Sequence, residues 1–117
     1  MTDLKITVGK TWREISAEIV DAVHRAERGE VIQAEASVNF ADWDTLTRTL
    51  TAKRLELLRH LHRHPTASIN ALAKALGRDY RNVHADVVAL VSAGLIERDA
   101  AGGLTAEYNT IQTQIAL

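Results

Sequence analysis

Residues 68–87, SINALAKALGRDYRNVHADV, decide the fold. Ser68 is a natural helix N-cap, and Ile69, Leu72, Ala73 and Leu76 recur at the spacing of one apolar helical stripe. Gly77 then offers the left-handed backbone that ends a helix, and Asp79 can cap another one two residues later. From Tyr80 to about Ala93, Val83, Val87, Leu90 and Val91 form a second stripe, and Gly94 supplies its stop. The reading is two short helices joined by a tight turn around Gly77, Arg78 and Asp79.

Upstream, Thr51 is a good N-cap for a helix to about Arg63 with Leu55, Leu58 and Leu61 on one stripe, closed by Pro65. A short turn of helix over Asp44–Leu50 precedes it. Downstream, Leu95–Arg98, the turn Asp99–Gly103 and Leu104–Glu107 read as a small hairpin. A helix, a helical pair with a tight turn, and a hairpin are together the parts of a winged helix-turn-helix.

The first 40 residues have a different texture. Leu4, Ile6 and Val8 alternate with polar residues as in a half-buried strand ended by Gly9. Trp12, Ile15, Ile19, Ala22, Val23 and Ala26 mark a helix over about Thr11–Arg28, stopped by Gly29. Ile32, Ala34, Ala36, Val38 and Phe40 alternate again, and Ile111, Thr113, Ile115 and Leu117 do so at the other end of the chain. The expected class is therefore α+β: a winged helix-turn-helix with an N-terminal strand-helix-strand extension and a C-terminal strand. The expected division is residues 1–44 for dimerisation or partner binding, 45–107 for DNA binding, and 108–117 as a strand packing on the N-terminal region.

At 117 residues, with 46% hydrophobic and 25% charged residues, the composition is that of one ordinary globular domain. The absence of cysteine removes disulfides, thiolate nucleophiles and Cys-based zinc sites, and suits a reducing cytoplasm. The longest hydrophobic run, Val87–Val91, falls far short of the roughly 20 residues that span a bilayer, and MTDLKITVGK has no apolar signal-peptide core. No membrane partner is expected.

Net charge is −1, but its distribution is uneven. Residues 1–44 hold 5 Lys and Arg against 9 Asp and Glu, whereas residues 45–98 hold 9 against 4. A basic middle between acidic ends is the pattern expected of a centre that meets phosphate and an N-terminal region that meets protein. Cations at a helix N-terminus oppose the macrodipole, yet Lys53 and Arg54 open one helix and Arg78 and Arg81 flank the start of another. A phosphate beside them would turn that cost into binding.

In a helix-turn-helix the second helix enters the major groove with its N-terminal residues toward the base edges. Arg81 and Asn82 can read bases, since Arg pairs with guanine O6/N7 and Asn with adenine N6/N7. Small Ala85 lets the backbone approach the groove, and His84 flanks the same face. Thr51, Lys53, Arg54, Ser68, Arg78 and Tyr80, at or beside helix N-termini, are the expected phosphate ligands. Asp86 can accept from a cytosine amine or pair with a nearby Arg.

With these residues in view, Leu50–Ile96 resembles the winged helix-turn-helix of MarR-like prokaryotic DNA-binding regulators. The resemblance rests on LTAKRLELL, SINALAKALGRDYRNVHADV and AGLIER, and extends loosely over the rest of the chain. It implies a small transcriptional regulator, and some proteins of this kind look like antitoxins encoded beside a toxin. Its position-by-position content is Thr51, Lys53 and Arg54, then Arg78, Asp79, Asn82, Val83, His84, Asp86 and Val87. The tip of the hairpin departs from a strong DNA-binding pattern, because Asp99–Gly103 carries no Lys or Arg.

His60 and His64 lie one helical turn apart, a spacing that suits zinc, but no cysteine completes a set. Neither a metal nor a cofactor is expected. Trp12 and Trp43 are expected in the core or at an interface. No nucleophile with a general base and no Gly-rich phosphate loop is present, so the chain is not read as an enzyme. The expected function is a sequence-specific regulator, an autoregulating repressor binding double-stranded DNA as a homodimer. The alternative is an antitoxin-like module that neutralises a basic toxin through its acidic N-terminal region.

Overall fold

The computed structural model describes residues 3–32 and 36–117. The chain is α+β and elongated, 50 × 31 × 21 Å. Strand β1 (Asp3–Val8) buries Leu4, Ile6 and Val8, the three residues of its apolar alternation. Gly9, at φ +83°, turns the chain out of the strand. Helix α1 (Trp12–Glu27) follows, with the Thr11 hydroxyl accepting from the Glu14 N–H at 3.2 Å.

Strand β2 (Ala36–Phe40) lies parallel to β1, from Leu4 opposite Ala36 to Val8 opposite Phe40. A parallel neighbour needs a crossover rather than a hairpin, and α1 is that crossover. The expected extended segment began at Ile32; Gln33, Ala34 and Glu35 lie outside the described residues. At the other end of the chain, β5 (Thr110–Ile115) pairs with β1 on its free side, also parallel, giving the sheet order β2-β1-β5. Central β1 is thus the strand that ties both ends of the chain together.

The helices between β2 and β5 start where side-chain caps place them. Asp42 caps α2 (Trp43–Thr49), Thr51 caps α3 (Ala52–Arg63), Ser68 caps α4 (Ile69–Leu76) and Asp79 caps α5 (Tyr80–Ser92). A two-stranded antiparallel hairpin, β3 (Glu97–Arg98) and β4 (Leu104–Thr105), comes next. Thr66 extends it by bridging to Leu104 with two backbone hydrogen bonds.

One core joins all of this. Leu4, Ile6, Val8 and Phe40 from the sheet belong to the same buried cluster as Leu57 and Leu61 of α3, Leu72 of α4, Val87 and Leu90 of α5, and Leu104 of β4. Leu57 replaces Leu55 in the deepest stripe of α3; Leu55 is only half-buried. Trp12 and Trp43 stay out of the core, 76% and 52% exposed. No residue of α1 is buried. Among the described residues no helix is long and apolar enough to cross a membrane.

Two outcomes follow from this packing. Leu90→Ala opens a void where a fully buried side chain sat, and urea unfolding should show a loss of about 3 kcal/mol. Asp42 accepts from both the hydroxyl and the N–H of Thr45, which holds its carboxyl below its ordinary pKa. Its stabilisation of α2 is therefore complete above the usual carboxylate range and disappears as pH falls through the lowered value. Carboxyl-carbon NMR should place the Asp42 midpoint below that of an unstructured Asp.

Candidate nucleic-acid interface

The turn between α4 and α5 is three residues long, and its geometry follows from Gly77. At φ +64° this residue is left-handed, so its own N–H reaches back to Lys74 and that of Arg78 to Ala73, ending α4 within one residue. The Asp79 carboxylate then accepts from the Arg81 N–H at 2.8 Å and starts α5. Ile69, Leu72 and Ala73 of α4 and Val83, Val87 and Leu90 of α5 are buried in one cluster, which fixes the rotation of α5 about its own axis.

With that face inside, the opposite one is outside. Arg81, His84, Ala85 and Val88 follow the i, i+3, i+4, i+7 spacing of one helical face, and all four are exposed. Asn82 is exposed at its edge. Among the described residues, neither Arg81 nor Asn82 has a side-chain hydrogen bond or ion pair. Tyr80 and His84 lie side by side, ring centroids 5.8 Å apart at 41°. Val88 was absent from the sequence-based set, although its spacing from Arg81 places it on this face.

Arg54 and Arg78 behave otherwise. Both reach the Asp86 carboxylate, Arg54 Nε donating to Oδ1 at 3.0 Å and Arg78 Nη2 to Oδ2 at 2.8 Å. Arg54 also donates from Nη1 to the carbonyls of Arg48 and Thr49, at 3.2 and 2.9 Å. The three side chains are only 19%, 22% and 14% exposed, in the order Arg54, Arg78, Asp86. Arg54 and Arg78, both expected as phosphate ligands, are thus drawn inward by the half-buried carboxylate and ion-paired to it. Of the two roles open to Asp86, the structure shows the salt bridge.

This triad brings the start of α3 beside the turn before α5. Lys53, next to Arg54, keeps an exposed ammonium whose nearest carboxylate is Glu56 at 3.7 Å. Thr51 and Ser68 spend their oxygens as cap acceptors, from Arg54 N–H at 3.3 Å and Ala71 N–H at 3.0 Å, and each retains a hydroxyl proton to donate. Ser68 opens α4 about 12 Å from the Gly77 turn, given eight helical residues.

At the hairpin tip, Asp99 Oδ1 accepts from the N–H groups of Ala101 and Gly103 at 2.9 and 2.8 Å. A side chain at 103 would collide with that carboxylate, so the tip is compact and carries no cation. His60 and His64 rings stand 5.1 Å apart, while His62 Nδ1 lies 2.7 Å from the Ala106 carbonyl. Among the described residues no group of three or more His, Cys, Asp or Glu is placed to hold a metal. A groove between α3 and β5, lined by Leu50, Leu58, Leu95, Tyr108 and Ile111, shares no residue with the outer face of α5.

Residues 49–113, more than half of the chain, match the profile of the HVO_A0114 family, and the chain belongs to that family. The matched stretch contains α3, α4, α5 and the hairpin whole, with most of β5. No curated protein and no solved structure matches it.

Removing the carboxylate at the centre of the triad leaves two half-buried guanidinium groups unpaired. Asp86→Ala should lower stability by about 3 kcal/mol in denaturant titration, and Asp86→Asn by less, because the amide oxygen still accepts from one of the two arginines.

Proposed function

We propose that the unit from α3 to β4 is a winged helix-turn-helix and that the protein is a sequence-specific transcriptional regulator binding double-stranded DNA. The observation that carries this reading is the outer face of α5. Its inner face is committed to the core, whereas Arg81, Asn82, His84 and Ala85 are exposed and the first two have no partner among the described residues. Arg and Asn are the side chains whose paired donors and acceptors match the major-groove edges of guanine and adenine. Ala85, one turn further along the same face as Arg81, allows close approach of the helix backbone.

Further support comes from charge. The excess of cations over residues 45–98 coincides with the helical unit, and Lys53 stands exposed beside the turn that precedes α5. Thr51, Ser68 and Tyr80 add hydroxyl donors for phosphate oxygens. Arg54 and Arg78 set the pose of α5 rather than touching DNA. The resemblance of Leu50–Ile96 to MarR-like regulators points the same way. One short reading helix gives limited affinity, so two copies would act on two half-sites about 34 Å apart, and repression of the protein's own promoter is the simplest output.

A second reading, an antitoxin-like module for a basic toxin, is favoured by the acidic balance of residues 1–44 and the exposed apolar residues of α1. Fluorescence anisotropy with the protein's own upstream DNA and a scrambled duplex, at two salt concentrations, separates the two. A preference of ~10³ or more that falls with salt supports the regulator, and weak, equal binding to both duplexes supports the protein-binding module. Arg81→Ala or Asn82→Ala should reduce discrimination among DNA sequences by about 1–3 kcal/mol. Lys53→Ala should instead weaken all sequences alike and flatten the salt dependence by about one unit of slope.

A further inference from the structure

Helix α1 is amphipathic, yet none of its apolar residues is fully buried. Trp12, Ile19, Val20 and Val23 are among the most exposed large hydrophobic residues of the chain, and only Ile15, Ser16 and Ala22 are half-buried. The two tryptophans of the sequence are both exposed. They follow the C-terminal ends of adjacent parallel strands, Trp12 after β1 and Trp43 after β2, and so stand at the same end of the sheet. An exposed apolar stripe with aromatic anchors is the composition of an interface core.

The charges of α1 say what covers it. Glu18 pairs with Lys10, and Asp21 with Arg25 at 3.0 Å. Arg13 and Glu27 have no ion-pair partner among the described residues. Each also sits at the wrong end of the helix, a cation in the first turn and an anion in the last, where the macrodipole disfavours it. Fourteen residues apart, they lie within about 40° of each other around the helix axis and flank the same side of the Trp12–Ile19–Val23 stripe.

We infer that α1 is the face by which two copies of this chain join, packed antiparallel about a two-fold axis near Ile19. In that arrangement Arg13 of one copy meets Glu27 of the other, twice, and both macrodipole conflicts are relieved together. Glu14, Glu18 and Asp21 point away from the contact, so the acidic surplus of the region does not keep the copies apart. Antiparallel pairing also sets the two macrodipoles in opposition, the N-terminus of each helix beside the C-terminus of the other. This deepens the homodimer of the DNA-binding reading, and rests on it only for the expectation of two copies.

Analytical ultracentrifugation of the full chain without DNA tests it. A dimer at micromolar concentration is expected. Ile19→Glu should raise the dimer dissociation constant by more than about 100-fold while circular dichroism stays unchanged. Arg13→Glu alone should raise it by roughly fivefold or more, and adding Glu27→Arg should restore it. Because the chain has no cysteine, Ile19→Cys reports directly: it should form a disulfide-linked dimer on oxidation. Arg13→Cys should not, its two copies lying about 20 Å apart along the pair.

A wild-type monomer at ~100 μM overturns the inference and leaves the face to a different protein. So does a dimer that cross-links at 13 and not at 19, or a charge swap that fails to restore association. Dimerisation without sequence-selective DNA binding removes the regulator reading alone, and selective DNA binding by a monomer removes this inference alone.

Discussion

Two guanidinium groups converge on the Asp86 carboxylate, and the pose of α5 depends on that convergence. Arg54 comes from the first turn of α3 and Arg78 from the turn between α4 and α5, so a single carboxylate ties three helices at their polar edges. Arg54 binds the carbonyls of Arg48 and Thr49 as well, which draws the end of α2 into the same knot. Such a half-buried triad adds little net stability once desolvation is counted. Its contribution is selection among ways of packing the same apolar helices, because any other rotation of α5 strands a charge.

Beneath the triad the core supplies the free energy. Leu72, Val83, Val87 and Leu90 are fully buried, and their cluster is continuous with Leu4, Ile6 and Val8 of the central strand. The sheet and the helical unit are therefore stabilised together. Parallel pairing of β1 with both β2 and β5 makes both flanking strands dependent on β1, since among the described residues neither β2 nor β5 has another strand partner. The polar face of α5 and the apolar face of α1 are what remains once this core is satisfied, one charged and one hydrophobic. The family match covers the first surface and not the second.

Much of the fold was legible because it is encoded locally. Thr11, Thr51, Ser68 and Asp79 cap the helices at the positions their side chains suggest, and Gly77 ends α4 for a reason intrinsic to its missing Cβ. The hairpin was readable from its turn and the terminal strands from their period of two. Arg81, Asn82, His84 and Ala85 were readable as an exposed set because they lie opposite a clear apolar stripe. The pairing of Arg54 and Arg78 with Asp86 was not legible for the converse reason: a basic residue at a helix start looks the same in sequence whether it faces solvent or a carboxylate 32 or 8 residues away.

The sequence by itself determined where α3, α4 and α5 begin and which segments are extended, because capping, glycine φ and apolar period act within a few residues. It also determined the uneven charge along the chain. Only the tertiary structure decided that both strands flanking β1 run parallel to it, that Asp86 claims two of the expected phosphate ligands, and that α1 leaves its apolar stripe uncovered. Each of these depends on groups distant in sequence meeting in space, and local preferences carry no record of that meeting.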